Sequence, residues 1–121
     1  MKRPKIADGR KRAPKRAPAQ DTARLDEMIG EATVDCNDDS EQAQGLFNML
    51  EEYLILPFTT TVLGVDVVVE NIGINDADEI VAVCRRGRER QRVGIGDLPL
   101  PDPRPAGAEW IDAYRRWARW R

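Results

Sequence analysis

Residues 38–57 read DDSEQAQGLFNMLEEYLILP and run directly into residues 58–72, FTTTVLGVDVVVENI. In the first stretch Ala43, Leu46, Phe47, Leu50, Tyr53 and Leu54 recur three and four residues apart, which places them on one face of a helix. Asp38 is suited to the N-cap, and Glu41 stands at the third helical position, so a capping box is expected. Pro57 is expected to end the helix, because the residue before a proline avoids the α region. The second stretch changes period. Phe58 to Leu63 and Val65 to Ile72 are rich in threonine and valine, the residues of strands, with Gly64 between them as a bend or bulge.

Working outward, Ile74 to Glu79 reads as a polar loop. Glu79 to Arg86 and Arg90 to Ile95 then flank Gly87 as an arginine-studded hairpin. Prolines at 99, 101, 103 and 105 call for an extended segment. Ala108 to Trp120 is expected to be a helix with Trp110, Ile111, Tyr114 and Trp117 on one face. Such a stripe is read first as core, and as a partner-docking face only second. On the N-terminal side, Leu25, Met28 and Ile29 give Asp21 to Thr33 helical spacing. Residues 1–20 are rich in lysine, arginine, alanine and proline, with little to bury, and are expected to form a disordered tail. The expected organisation is therefore a tail over 1–20 and a single α+β domain over 21–121. In that domain an amphipathic helix packs on a small antiparallel β-barrel or bent sheet, followed by a C-terminal aromatic helix.

The inventory of side chains excludes much. There is no histidine among the 121 residues, which removes the commonest general base, the usual nucleophile pairs and the usual zinc sites. Cys36 and Cys84 alone cannot complete a zinc tetrahedron, and reduced thiols are expected of them. Gly94 and Gly96 lack the third glycine of a phosphate-binding fingerprint. A non-catalytic protein is expected. No apolar run is long enough to span a bilayer, and the basic N-terminus is not followed by an apolar segment, so the expected location is cytoplasmic and away from membranes.

The net charge of -2 hides a segregation. Residues 1–20 carry eight basic side chains against Asp8, residues 21–82 carry fifteen acids against Arg24, and residues 83–121 carry ten arginines against five acids. So acidic a middle repels itself unless something compensates it. Asp35, Asp38, Asp39 and Glu41, with Asn37, cluster at the start of the helix and offer the oxygen ligands that hard cations require. The spacing imitates half of an EF-hand loop and then departs from it, with Ser40 where glycine is needed and Leu46 where the closing glutamate belongs. The competing reading is helix chemistry, since acids near a helix N-terminus meet the positive end of its dipole. Asp76, Asp78 and Glu79 form a second cluster in a loop, where a solvated turn is the plain alternative. Glu51 and Glu52 sit near the helix C-terminus, where the dipole disfavours carboxylates. Arg85, Arg86, Arg88, Arg90 and Arg92 permit a nucleic-acid or polyanion reading together with the tail. The acidic middle, and the lack of aromatics between these arginines, favour internal pairing with the domain's own acids, so nucleic acid is not the expected partner.

The order of these pieces resembles the cyanobacterial-type calcium-binding protein family, a bacterial group of small acidic proteins. The resemblance is carried by Val34-Asp-Cys-Asn-Asp-Asp-Ser40 with Glu41, and by the helix ending Leu50-Glu-Glu-Tyr-Leu-Ile-Leu-Pro-Phe58. A valine-rich strand, the acidic loop Asp76–Glu79, the Arg-Arg-Gly-Arg hairpin and Gly96-Asp-Leu-Pro99 complete it. It covers roughly residues 34–98, the terminal aromatic helix matching more loosely. It implies a buffer or sensor that binds calcium through side-chain carboxylates outside an EF-hand, on a helix-plus-small-barrel (SH3-like) fold. Carried over by position, the implied ligands are Asp35, Asp38, Asp39 and Glu41, with Glu51, Glu52, Asp76, Asp78 and Glu79 behind them. The short polar loop and the long basic tail depart from the family pattern.

Overall fold

A computed structural model describes residues 19–121, and the tail expected over residues 1–20 falls largely outside them; Ala19 and Gln20 already belong to the first helix. The elements in chain order are α1 (Ala19–Ala32), α2 (Asp39–Tyr53), β1 (Phe58–Val62), β2 (Val65–Ile74), β3 (Ile80–Arg86) and β4 (Glu89–Gly94). A 3-10 turn at Ile95–Asp97 and helix α3 (Glu109–Arg119) follow. No helix among the described residues is long and apolar enough to cross a membrane.

The helix read from residues 38–57 forms, with two corrections. Asp38 is the N-cap and accepts from the Glu41 amide at 2.8 Å, but the Glu41 carboxylate reaches back to the Asn37 amide at 2.6 Å, one residue before the cap. The reciprocal arm of the capping box is thus displaced by one position. The helix also ends before Pro57 requires it. Leu54 is already extended, and the Ile55 amide donates to the Ala106 carbonyl, so pairing with the segment ahead of α3 draws the chain out early.

The four strands form a sheet in the order β1-β2-β3-β4, each antiparallel to the next. This is an open meander. The barrel alternative fails because β1 and β4 lie at opposite edges, and closure needs those edges to pair. Turn chemistry explains the hairpins. Leu63 and Gly64 both take positive φ (51° and 77°), the pattern of a type I′ turn, so Gly64 is a turn residue and not a bulge. Gly87 (φ 61°) opens the β3–β4 turn. The bulge lies instead at Glu70, where the register passes from Val69↔Cys84 to Asn71↔Val83.

All three helices contribute to one core against one face of the sheet. Leu46 and Leu50 of α2, Val69 of β2, Ile80 of β3, Ile95, and Ile111 of α3 are almost wholly buried. The aromatic stripe of α3 is core, as its spacing implied: Trp110, Ile111, Tyr114 and Trp117 are all buried. Its polar atoms are tied to other elements. The Tyr114 hydroxyl accepts from the Ile80 amide at 3.2 Å, and Trp117 Nε1 donates to Gln42 at 2.8 Å. Arg115 donates to the Leu98 carbonyl at 2.6 Å and the Ile95 carbonyl at 3.2 Å, closing the 3-10 turn onto α3. Burial of this guanidinium lowers its pKa from the ordinary arginine value. Cys36 and Cys84 are free, and burial raises the Cys84 thiol pKa.

Candidate functional site

The acids at the start of α2 occupy the loop between α1 and α2 and the first helical turn. Asp35 sits with φ 64°, in the left-handed region that aspartate tolerates better than most side chains. Asp35, Asp38, Asp39 and Glu41 are all exposed. Two are engaged in capping: Asp38 Oδ1 by the Glu41 amide, and Glu41 Oε1 by the Asn37 amide. Asp39 Oδ2 meets Arg121 at 3.2 Å, and that arginine lies over the Trp117 ring at 4.3 Å. The second oxygens of Asp38 and Glu41, and both of Asp35, have no hydrogen-bond partner among the described residues.

The remaining sequence candidates lie elsewhere. Glu51 and Glu52 are exposed near the end of α2, twelve or more residues beyond Asp39, which at the rise of an α-helix is about 18 Å along the axis. They cannot share an ion with the Asp38–Glu41 turn. Asp76, Asp78 and Glu79 stand in the β2–β3 loop, which is organised by Asn75. The Asn75 side-chain oxygen accepts from the Ala77 and Glu79 amides (both 2.9 Å), its amide donates to Glu79 Oε1 (3.1 Å), and Asp78 takes φ 62°. Among the described residues no three of these acids, with or without cysteine, are gathered as an ion would need them. The donor chemistry of the α2 turn suits a hard cation, but its oxygens are not preassembled.

The structure also assembles acids that the sequence reading passed over. Glu27 and Glu31 of α1 and Glu109 of α3 line a cleft of about 380 Å³, together with Arg24, Met28, Tyr53, Gly107 and Trp110. Tyr53 and Trp110 stack in it with ring centroids 5.9 Å apart. Arg24 pairs with Glu109 at 3.3 Å across the cleft, whereas Glu27 and Glu31 have no ion-pair partner among the described residues. The spacing of Glu27 and Glu31, one helical turn apart, was the available signal. Nearby, Arg116 holds Asp26 at 2.7 Å and lowers its pKa from the ordinary 3.8.

On the sheet, Glu70 projects from the bulge and accepts from Arg85 Nε at 3.1 Å and from Arg90 Nε. The Arg90 bond first, and Arg85 with it, lowers the Glu70 pKa from the ordinary 4.5. Internal pairing therefore accounts for Arg85 and Arg90. Arg86, Arg88 and Arg92 are exposed and meet no carboxylate at ion-pair distance among the described residues.

Comparison of the chain with known protein families, curated proteins and solved structures finds no match.

Proposed function

We propose that this protein binds calcium through side-chain carboxylates, with Asp38 and Asp39 central and Asp35 and Glu41 contributing. The observation that carries the reading is the lack of internal compensation. Of the fifteen carboxylates in residues 21–82, Asp26, Asp39 and Glu70 meet an arginine, which leaves twelve without an ion pair among the described residues. Three of these, Asp35, Asp38 and Glu41, fall within the seven residues from Asp35 to Glu41 beside the Arg121-paired Asp39, and all four are exposed with oxygens to spare after capping. The helix dipole opposes a cation there, but it amounts to about half an elementary charge, against several full charges on the carboxylates. With no loop glycine and no closing bidentate glutamate, affinity is expected at the weak, micromolar to millimolar end, with magnesium binding less well than calcium.

The test is an NMR titration of the full chain with calcium, magnesium serving as control. Calcium is expected to shift the amides of residues 34–41. Replacing both aspartates (D38N/D39N) keeps the cap and removes two charges, so the fold should persist while affinity falls by roughly tenfold or more. Arg121→Gln should tighten binding, because it frees Asp39 from its guanidinium. Unmoved amides at millimolar calcium, or unchanged affinity in the double variant, rule the assignment out.

A further inference from the structure

We propose that the β3–β4 hairpin docks on the phosphate backbone of duplex nucleic acid. This surface is separate from the acidic α2 turn, and the proposal stands whether or not calcium binds there. The hairpin concentrates five arginines within residues 85–92, and antiparallel pairing sets Arg85 directly opposite Arg90. Like charges facing each other across a ladder repel. Glu70, thrust out by the bulge in β2, resolves that repulsion by accepting from the Nε of both. Arg85 is further fixed by donating to the Gly87 carbonyl at 3.3 Å.

The compensation then stops. Arg86 faces Glu89 across the ladder without an ion pair, Arg88 stands in the turn, and Arg92 lies on β4, the edge strand. All three are exposed, in a chain with twenty-one acids, and among the described residues none of those acids meets them. Arg92 shares the sheet face of Arg85 and Arg90, Arg86 lies on the opposite face and Arg88 at the tip, so the end of the hairpin is positive on both sides and is matched in charge by a polyanion it can straddle. Arginine's planar fork suits phosphate oxygens, and the two arginines held by Glu70 are already positioned. No aromatic residue lies among residues 85–92, so bases of a single strand have nothing to stack on. Contact with a duplex backbone needs no stacking. The acids of α1 and α2 repel the same polyanion and so leave the hairpin as the approach.

The test uses the full chain and a labelled mixed-sequence DNA duplex, followed by fluorescence anisotropy over a salt series. Arg86, Arg88 and Arg92 are changed together to Gln, leaving Arg85, Arg90 and Glu70 intact. The expected result is a fall in the log–log salt slope of about 2 to 3, at about 0.9 per lost phosphate contact, with at least a tenfold loss of affinity at low salt. Changing the same three to Lys keeps the charge and should restore most of the slope. The basic N-terminal residues are tested by a second variant, K11Q/R12Q/K15Q. A hairpin variant whose slope matches the wild type, with the loss seen only in the N-terminal variant, overturns the proposal. Tighter binding of single strands than of duplex overturns it too. So does hairpin-dependent binding of poly-glutamate with none of DNA, which would make the partner an acidic protein.

Discussion

Gly45 lies inside α2, where glycine costs a helix about 1 kcal/mol relative to alanine. On propensity alone Gly45→Ala should stabilise the protein. The packing reverses that sign. A Cβ at residue 45 would stand 2.1 Å from the Ala32 carbonyl oxygen and 3.2 Å from its carbon, both backbone atoms at the end of α1. Backbone cannot rotate aside as a side-chain tip can, so α1 and α2 must separate. Overpacking of this kind typically costs about 1–3 kcal/mol, and for a backbone clash the upper part of that range applies. Subtracting the propensity gain leaves a net destabilisation of about 1–2 kcal/mol. Gly30→Ala is the internal control: residue 30 is also helical, is exposed, and a Cβ there meets nothing within 4 Å. It should gain up to about 1 kcal/mol. Urea denaturation of the two variants, read by tryptophan fluorescence and far-UV circular dichroism, compares them directly. A Gly45→Ala variant as stable as the wild type would show that α1 and α2 do not meet closely at Ala32 and refute the clash.

Three further outcomes are expected. Tyr114→Phe removes the acceptor for the buried Ile80 amide and should cost about 1–3 kcal/mol; hydrogen exchange at Ile80 checks it, and unchanged protection there contradicts the role of the hydroxyl. Asp38→Ala should cost about 1 kcal/mol through loss of the N-cap, whereas Asp38→Asn should be nearly neutral in thermal unfolding. The pKa values of Asp26 and Glu70 are lowered in the folded state, so their stabilisation is complete above the ordinary values of 3.8 and 4.5 and is lost as pH falls through the folded values. Arg116→Gln should therefore raise the Asp26 pKa in an NMR pH titration, and should reduce the acid dependence of stability.

What was legible in the sequence was whatever rests on local pattern. Helix α2 was legible because its apolar spacing and its cap agree, and α3 because Trp110, Tyr114 and Trp117 have little alternative to burial. The strands followed from threonine and valine runs cut by glycine. What escaped depends on contacts distant in sequence. The early end of α2 is set by Ala106, fifty-one residues beyond Ile55. The open sheet depends on edges that do not meet, and the position of the bulge on a register change at Glu70. The candidate acids illustrate the same division. Clustering in sequence was plain at Asp35–Glu41, but α2 itself holds Glu51 and Glu52 away. The Glu27, Glu31 and Glu109 cleft exists only because α1 and α3 pack side by side.

The arginines of residues 83–121 divide by what they touch. Those near α3 hold the helical layer together. Arg116 reaches Asp26, Arg121 reaches Asp39, Arg104 reaches Asp112, and Arg115 gathers the carbonyls of Ile95 and Leu98. These four spend their charge inside the domain, while the exposed Arg119 meets no carboxylate among the described residues. The hairpin arginines do the opposite. One carboxylate serves two of them, and three remain free among the described residues. The fold therefore carries an uncompensated acidic region on its helices and an uncompensated basic one on its sheet edge. Exposed charges farther apart than the Debye length, about 10 Å near 0.1 M ionic strength, influence each other only weakly. A cation held at the α2 turn would remove part of the repulsion that the helices exert on an approaching polyanion. Any coupling between the two surfaces should be reciprocal, and should grow as salt is lowered.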